Sequence, residues 1–295
     1  MKKFSARYKK TAYRVWQRAV FRVYSKLSSA HYPPQVIFIH IPKTAGSSIN
    51  EYFSSFIGRR GSSDFLPIDI FRNTDDWAYA EVNEEGLQKA RTSKFITGHI
   101  DWHTLEKIRH PHAFTFTFLR DPVERLVSAY HYLHHIDENT LSGENEKKVL
   151  VQLKSLTLED FFSGSDFKAL YATNNLMVRT MAGRVNGTAG MDIPFEAMLE
   201  QSIKNIKTLN YVGFQKTFDD DFRNLVRKSG FPVLRLPKEN ITEKLPAHPG
   251  PSYEAGANKQ VIMEMAAPRL KWDFAFYQRA LELAPGINGR PFVRG

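Results

Sequence analysis

The sequence contains no cysteine in its 295 residues. This absence excludes disulfide-stapled folds, cysteine-ligated zinc sites and cysteine nucleophiles, and the fold does not depend on an oxidising compartment. The chain also lacks an apolar run of the roughly 18 to 20 residues that span a bilayer. Its first residues have charges every three or four positions, where a signal peptide has an apolar segment. We therefore expect a cytoplasmic protein.

Acidic residues are absent from the start of the chain, where none occurs before Glu51. Of the 41 Lys and Arg residues, nine lie between Met1 and Lys26, which leaves 32 against 31 Asp and Glu in the rest of the chain. The nine are Lys2, Lys3, Arg7, Lys9, Lys10, Arg14, Arg18, Arg22 and Lys26. A nucleic-acid-binding surface needs a basic body, and this body is nearly neutral. We therefore expect no nucleic-acid partner.

Residues 1–34 form a basic N-terminal arm. Basic residues recur in it every four positions from Arg14 to Lys26, and apolar residues fall on the other side of a helix. Such a basic amphipathic helix is typical of docking to an acidic membrane surface, here the inner membrane, or to an anionic polymer. The alternative is a helix that packs Trp16 and Val20 against the body. Pro33 and Pro34 end this segment.

Residues 35–295 alternate short apolar runs with helical patterns. The predicted strands are 35–41, 94–97, 113–119, 211–214 and 232–236, and the predicted helices are 47–57, 123–135, 218–228 and 268–283. Strands that alternate with helices in this way predict an α/β fold with a mostly parallel central sheet between two helical layers. Residues 137–201 are mostly helical, and we interpret them as an insertion in this domain.

The loop after the first strand has the chemistry of a phosphate cradle. It runs through Lys43, Thr44, Ala45, Gly46, Ser47 and Ser48. A helix N-terminus, a close-packing glycine, hydroxyl groups and one lysine together suit an anionic oxygen. The order of residues differs from a Walker A loop, in which the lysine follows the second glycine. The alternative interpretation is an ordinary turn before a helix.

A second candidate anion site follows the strand 113–119. Arg120 lies at the carboxyl end of this strand, where open α/β sheets place ligands. Ser128 lies two helical turns further on, and a guanidinium together with a hydroxyl can bind a phosphate. The alternative is a buried arginine that pairs with Asp121 or Glu124.

The two motifs in this order resemble the signature of sulfotransferases that use 3′-phosphoadenosine 5′-phosphosulfate (PAPS), over about residues 36–280. The resemblance implies a P-loop-like three-layer sandwich and PAPS as the donor. It assigns the 5′-phosphosulfate to residues 43–48, with Lys43 on the leaving phosphate. It assigns the 3′-phosphate to Arg120 and Ser128. We expect no metal requirement, because a sulfuryl group has less charge than a phosphoryl group and Lys43 with helix N-termini can stabilise the leaving phosphate.

Three further stretches resemble the carbohydrate branch of this family, which includes the uronyl and hexuronyl 2-O-sulfotransferases. They are residues 97–100, 174–183 and 240–246. The first implies that His99 is the catalytic base, although Thr97 replaces a histidine of the related motif. The third implies that Thr242 and Lys244 belong to a loop that closes over the nucleotide. Eukaryotic members of this branch have a membrane anchor and cysteines, so the resemblance suggests a bacterial enzyme.

The residues themselves support a histidine base near this strand, because a neutral imidazole accepts a hydroxyl proton. His99 follows a short strand, and His103 is its competitor, with Asp101 as a possible orienting partner. We expect His40 to pack in or beside the sheet. Five arginines are candidate contacts for an acidic polysaccharide, or else solvated surface charges: Arg59, Arg60, Arg72, Arg179 and Arg184.

The sequence therefore predicts a PAPS-dependent carbohydrate O-sulfotransferase. Lys43 and His99 are the predicted catalytic residues. Two other classes stay open at this point. A nucleotide-dependent kinase or NTPase would also use a phosphate loop, but with ATP and Mg²⁺. A non-catalytic protein that binds an anionic glycan or a membrane surface would depend on the arm.

Overall fold

The computed structural model describes residues 33–57, 65–69, 84–137, 144–156, 158–163, 174–183, 193–233 and 259–293, with 15, 16, 19 and 139. Among them, five strands form one parallel sheet in the order β2-β3-β1-β4-β5. The strands are β1 (Val36–Ile39), β2 (Phe65–Asp69), β3 (Phe95–His99), β4 (Phe114–Leu119) and β5 (Tyr211–Phe214). This sheet, with helices around it, confirms the predicted α/β fold.

The helices of the described residues lie in the connections between these strands and after β5. They are α1 (Gly46–Phe56), α2 (Glu84–Thr92), α3 (Trp102–Ile108), α4 (Pro122–His135), α5 (Glu144–Ser155), α6 (Leu158–Ser163), α7 (Leu176–Ala182), α8 (Phe195–Ile206), α9 (Phe218–Ser229) and α10 (Lys259–Gly289). None of these helices has both the length and the apolarity needed to cross a bilayer.

Alternate residues of each strand pack on opposite faces of the sheet. Phe38 of β1 joins Phe53 of α1 and Phe222 of α9 in one apolar cluster. Ile39, the next residue, joins Leu105 of α3 in a second cluster that includes α2, α7, α8 and the second half of α10. Because both faces are covered, the strands consist of nearly continuous apolar residues. A third cluster lies between α4, α5, α6 and the first half of α10.

The structure corrects several element boundaries. β2 and α2 were not predicted, and β2 is an edge strand that contains Pro67, a residue that normally argues against a strand. The last helix does not begin at Pro268 but at Lys259. Packing around this proline, with Ala266 and Leu270 fully buried, outweighs the loss of one backbone donor. Residues 232–233 are not in a strand, and 234–236 lie outside the described residues.

A reciprocal pair of side chains fixes α7 against α10. The side-chain oxygen of Asn175, the residue before α7, accepts the N–H groups of Trp272 and Asp273, each at 2.9 Å. Asp273 in turn accepts the N–H groups of Met177 and Val178, at 3.3 and 2.9 Å. Burial raises the pKa of the Asp273 carboxyl, against the opposing effect of nearby cations and of these two donors. The pair thus satisfies backbone donors of both helices at once.

We expect Asn175→Ala to lower the free energy of unfolding by about 1–3 kcal/mol, because it removes the two buried hydrogen bonds that the Asn175 side chain accepts from α10. Asn175 has a φ of 48°, a left-handed conformation that asparagine tolerates better than alanine, which adds to the loss. Urea denaturation measures the change. Asn224→Ala on the exposed face of α9 is the control, with a change within about 0.5 kcal/mol. Equal effects of the two substitutions would show that the pair of Asn175 and Asp273 does not stabilise the fold.

Candidate active site

Two loops meet at the carboxyl edge of the sheet, between β1 and β4. After β1 the chain builds β2 and β3 on one side and then crosses to β4 on the other, so a topological switch point separates β1 from β4. Ligands of open α/β sheets bind in the crevice outside the strand ends at such a point. Lys43 follows β1 and Arg120 follows β4. The two motifs that sequence analysis found far apart therefore lie at one crevice.

The loop between β1 and α1 has a strained backbone. Lys43 and Ala45 have φ values of 71° and 76°, in a left-handed region that costs a residue with a side chain about 1–2 kcal/mol. The buried Thr44 hydroxyl donates to the Ile41 carbonyl oxygen at 2.7 Å, and this bond closes the turn from within. Thr44 therefore shapes the cradle rather than presenting its hydroxyl to the crevice.

The first turn of α1 consists of Gly46, Ser47 and Ser48. Ala45, at the N-cap position, makes no side-chain cap, so no side chain of that position offsets the positive end of the helix dipole. Ser47 is exposed, whereas Ser48 is buried. An anion at this helix end would interact with backbone N–H groups and with the dipole together. The predicted residues 43–48 thus form one continuous turn at the crevice.

The Lys43 ammonium lies in an environment that disfavours its charge. Its Nζ atom is 3.8 Å from the centre of the Tyr132 ring on α4, within the range of a cation–π contact. Burial and, to a smaller extent, the charge of Arg120 lower the pKa of Lys43 to about 8. A phosphate placed here would supply the missing negative charge. The site is therefore arranged to stabilise an incoming or developing anion.

Arg120 connects the two motifs directly. Its Nη1 atom lies 3.5 Å from the backbone oxygen of Lys43, and its Nε atom lies 3.6 Å from a Glu124 carboxylate oxygen. Burial lowers the pKa of Arg120, and Glu124 opposes this effect. Asp121 has a different role, since its carboxylate accepts the N–H groups of Val123 and Glu124 and caps α4. Arg120 thus has a partner in Glu124, the alternative that the sequence left open, and it also reaches the loop of Lys43.

Ser128 lies on the face of α4 that is turned towards this crevice. Residues four apart in a helix share a face, so Ser128 is one turn from Glu124 on one side and one turn from Tyr132 on the other. Glu124 contacts Arg120 and Tyr132 contacts Lys43. The half-buried Ser128 is therefore flanked by the two residues that contact the candidate cations.

His99 is the last residue of β3 and lies beside a second imidazole. Phe95, Thr97 and His99 share one side of β3, the side on which the Thr97 hydroxyl donates to the Asn50 side chain of α1 at 2.6 Å. The His99 ring centre is 4.8 Å from that of His40, which follows β1. The half-buried His99 thus lies at the same sheet edge as Lys43.

His103, the competing base, lies on the first turn of α3 and is exposed. Asp101 does not orient it. One Asp101 carboxylate oxygen accepts the N–H of Thr104 at 2.9 Å as a helix cap, and the other has no hydrogen-bond partner among the described residues. The backbone of His103 packs closely against Gly183, since a Cβ placed on Gly183 would lie 2.9 Å from the His103 backbone nitrogen. This geometry favours His99 as the candidate base.

Several predicted residues lie outside the described part of the chain. They are Thr242, Lys244, Arg59, Arg60, Arg72 and Arg184, together with most of the N-terminal arm. Arg179 is described, and the expectation that it is a surface residue is wrong. It is only 3% exposed, and its charge acts on the buried Asp273. Arg179 therefore belongs to the interior between α7 and α10.

Sequence reasoning missed two residues of this site, His40 and Tyr132. His40 does pack against the sheet, as expected, but it also contacts His99. The strand period provides the signal, because Val36, Phe38 and His40 must share a face beside the matching face of β3. Tyr132 could have been found from its helical spacing to Ser128.

Comparison with known proteins identifies the family of the chain. No curated protein matches the chain. A family model described as the sulfotransferase family matches residues 31–278, which include β1, the strained loop, His99, Arg120 and Ser128. The matched region covers most of the chain and every element that borders the crevice. The chain belongs to the sulfotransferase family.

Proposed function

We propose that this protein transfers the sulfuryl group of PAPS to a hydroxyl of a carbohydrate acceptor. The observation that carries the proposal is the convergence of Lys43 and Arg120, 77 positions apart, at the switch point between β1 and β4. Membership of the sulfotransferase family supports sulfuryl transfer in general. The donor, the acceptor class and the residue roles are the proposal.

The residues of the crevice fit a donor with two separate anionic groups. The strained loop and the first turn of α1 would hold the 5′-phosphosulfate, with Lys43 beside the oxygen that becomes negative. Arg120 and Ser128 would hold the 3′-phosphate, because a guanidinium can donate two parallel hydrogen bonds to phosphate oxygens and the hydroxyl can donate another. Thr242 and Lys244 would contribute further contacts, from the similarity of residues 240–246 to the family loop that closes over the nucleotide. These residues bind the donor by charge and hydrogen bonds, without a metal ion.

His99 would act as the base. The acceptor oxygen forms a bond to sulfur as the bond from sulfur to the phosphate oxygen breaks, and the acceptor proton passes to the imidazole. The negative charge released in this step develops on the 5′-phosphate, next to Lys43. In-line placement of the reacting groups supplies much of the acceleration, as it does in phosphoryl transfer.

The acceptor is proposed as a glycan, from the similarity of residues 97–100 to the carbohydrate branch of the family. Acidic groups of a polysaccharide would be bound by the candidate arginines Arg59, Arg60, Arg72 and Arg184. We further propose a cytoplasmic, bacterial enzyme whose arm, residues 1–34, contacts the inner membrane surface. Deletion of the arm should therefore leave nucleotide binding intact.

Thermal unfolding in the presence of nucleotides tests the donor site. Adenosine 3′,5′-bisphosphate at about 100 times its Kd should add about 2.7 kcal/mol of stability. For a chain of this size that is a rise in Tm of roughly 5 °C or more. ADP and ATP with Mg²⁺ lack a 3′-phosphate and should give a much smaller rise. Arg120→Ala should remove the preference for the bisphosphate.

The matched control is Arg223→Ala on α9, which removes an exposed arginine paired with Asp220 and should keep the full response. A rise in Tm with ATP and Mg²⁺ alone would contradict the proposal and favour a kinase or NTPase. Equal rises with all three nucleotides would also contradict it. No response to any nucleotide would leave a non-catalytic anion-binding protein as the better interpretation.

A further inference from the structure

His40 occupies a position between three parts of the candidate site. Its ring stacks on Phe38, with centres 5.2 Å apart and planes 25° from parallel. On another side the ring contacts His99 at 4.8 Å. The backbone N–H of His40 donates to the Gly98 carbonyl oxygen at 3.0 Å, and this hydrogen bond joins the end of β1 to β3 next to the ring. The ring is thus held between neighbouring strands next to the candidate base.

The third contact of His40 is with the phosphate loop. A Cβ on Gly46 would lie 2.0 Å from Nε2 of His40 and within 2.4 Å of two of its ring carbons. Gly46 has no positive φ, so the backbone conformation does not require glycine here. The His40 ring itself requires it, because the ring occupies the space that any side chain at position 46 would need.

We propose that His40 is a positioning residue that couples the phosphate loop to His99. The part of this inference that concerns catalysis rests on the proposed role of His99 as the base. The coupling itself depends only on the contacts of the ring. Packed interiors transmit displacement because they have few voids. An anion that draws Gly46 and the start of α1 towards itself therefore also fixes the His40 ring, and through it the His99 ring.

Removal of the His40 ring leaves a space on the side of His99 that faces the loop. His99 can then turn into this space and away from the acceptor hydroxyl. A misplacement of about 1 Å at a reacting group costs on the order of 100-fold in rate. His40 has no need to exchange a proton for this effect, so a flat ring of similar size should replace it.

A mutant cycle in the unliganded protein tests the coupling first. Gly46→Ala should lower Tm strongly, because the new Cβ overlaps the His40 ring. His40→Ala removes the overlapped atoms, so the double variant should be more stable than the sum of the two single losses predicts. Additive losses would overturn the inference whatever the reaction is. Gly286→Ala, where a Cβ meets open space, is the matched control and should show no coupling with His40→Ala.

Steady-state kinetics with PAPS and a glycan acceptor tests the positioning role. We expect His40→Ala to lower kcat by about 100-fold with the donor KM within about threefold of its original value, and His40→Phe to recover most of the loss. His103→Ala is the control and should retain full kcat. Unchanged kcat in His40→Ala, or no recovery in His40→Phe, would overturn the positioning role. If His99→Ala is active while the mutant cycle still shows coupling, the proposed base fails and the structural coupling stands.

Discussion

Lys43→Ala should lower kcat for sulfuryl transfer by about 100- to 1,000-fold, the loss that follows removal of one group aimed at charge that develops in a transition state. The Lys43 ammonium is partly buried and lies at 3.8 Å from the Tyr132 ring, so it is already oriented before the donor arrives. In the proposed reaction, its interaction with the leaving phosphate would strengthen as the bond from sulfur to oxygen breaks. The measurement is the rate of adenosine 3′,5′-bisphosphate formation at saturating acceptor.

Lys89→Ala is the matched control, because Lys89 is an exposed lysine paired with Glu85 on α2. Its kcat should equal that of the unaltered protein. A Lys43→Ala variant with more than about a tenth of the original kcat would contradict the role of Lys43 in the transition state. Retained stability, measured by thermal unfolding, separates loss of chemistry from loss of fold.

The same lysine sets a pH dependence. With its pKa lowered to about 8 in the free protein, Lys43 is charged below pH 8 and loses its charge above it. Since only the ammonium attracts the donor, kcat/KM for the donor should be highest below pH 8 and fall up to tenfold per pH unit above it. The stability of the fold changes in the opposite direction, because burial disfavours the charged form of Lys43 in the folded protein. This destabilising contribution is fully present below pH 8. It disappears as the pH rises towards about 10.4, the pKa of lysine in the unfolded chain.

A substitution of Lys43 by arginine tests whether Lys43 causes this pH dependence. Lys43→Arg keeps a cation that does not titrate in this range, and it should move the fall in kcat/KM to higher pH. Identical pH profiles in the two proteins would show that another group controls donor capture.

The second large effect is expected for His99→Ala, which should lower kcat by about 100- to 10,000-fold, the range that general bases contribute. Its affinity for adenosine 3′,5′-bisphosphate should stay within about twofold, because His99 lies on β3 and the proposed donor contacts come from the loops after β1 and β4. Isothermal calorimetry and initial rates measure the two quantities on the same preparation. The combination of lost transfer and retained binding is what identifies a base.

His103→Ala provides the comparison for this substitution. His103 is exposed on α3, a few residues from His99, and its removal should leave kcat unchanged. If His103→Ala loses transfer and His99→Ala does not, the assignment of His99 as the base is wrong and His103 is the base. If His99→Ala loses nucleotide binding as well, His99 belongs to the donor site instead.

Particular residues show why part of the fold could be predicted. The apolar runs of β1 and β4 are buried on both faces and are followed by helices, which is a pattern that few other folds produce. β2 was missed because it contains Pro67, and the tertiary position at the sheet edge permits a proline that local rules reject. The start of α10 was misplaced for the same reason. Burial of Ala266 and Leu270 keeps the helix intact across Pro268.

The chemical groups of the candidate site follow from local sequence patterns. Residues 43–48 lie within one turn, and Arg120 follows its strand directly, so their placement depends only on neighbours along the chain. Strand periodicity likewise puts His40 on the face of Phe38. Which of these groups meet depends instead on tertiary packing. His40 contacts His99 and Gly46, Lys43 contacts Tyr132, and Arg179 is buried near Asp273. These contacts join residues that are distant in sequence, and they depend on how helices and strands pack, which local patterns do not specify.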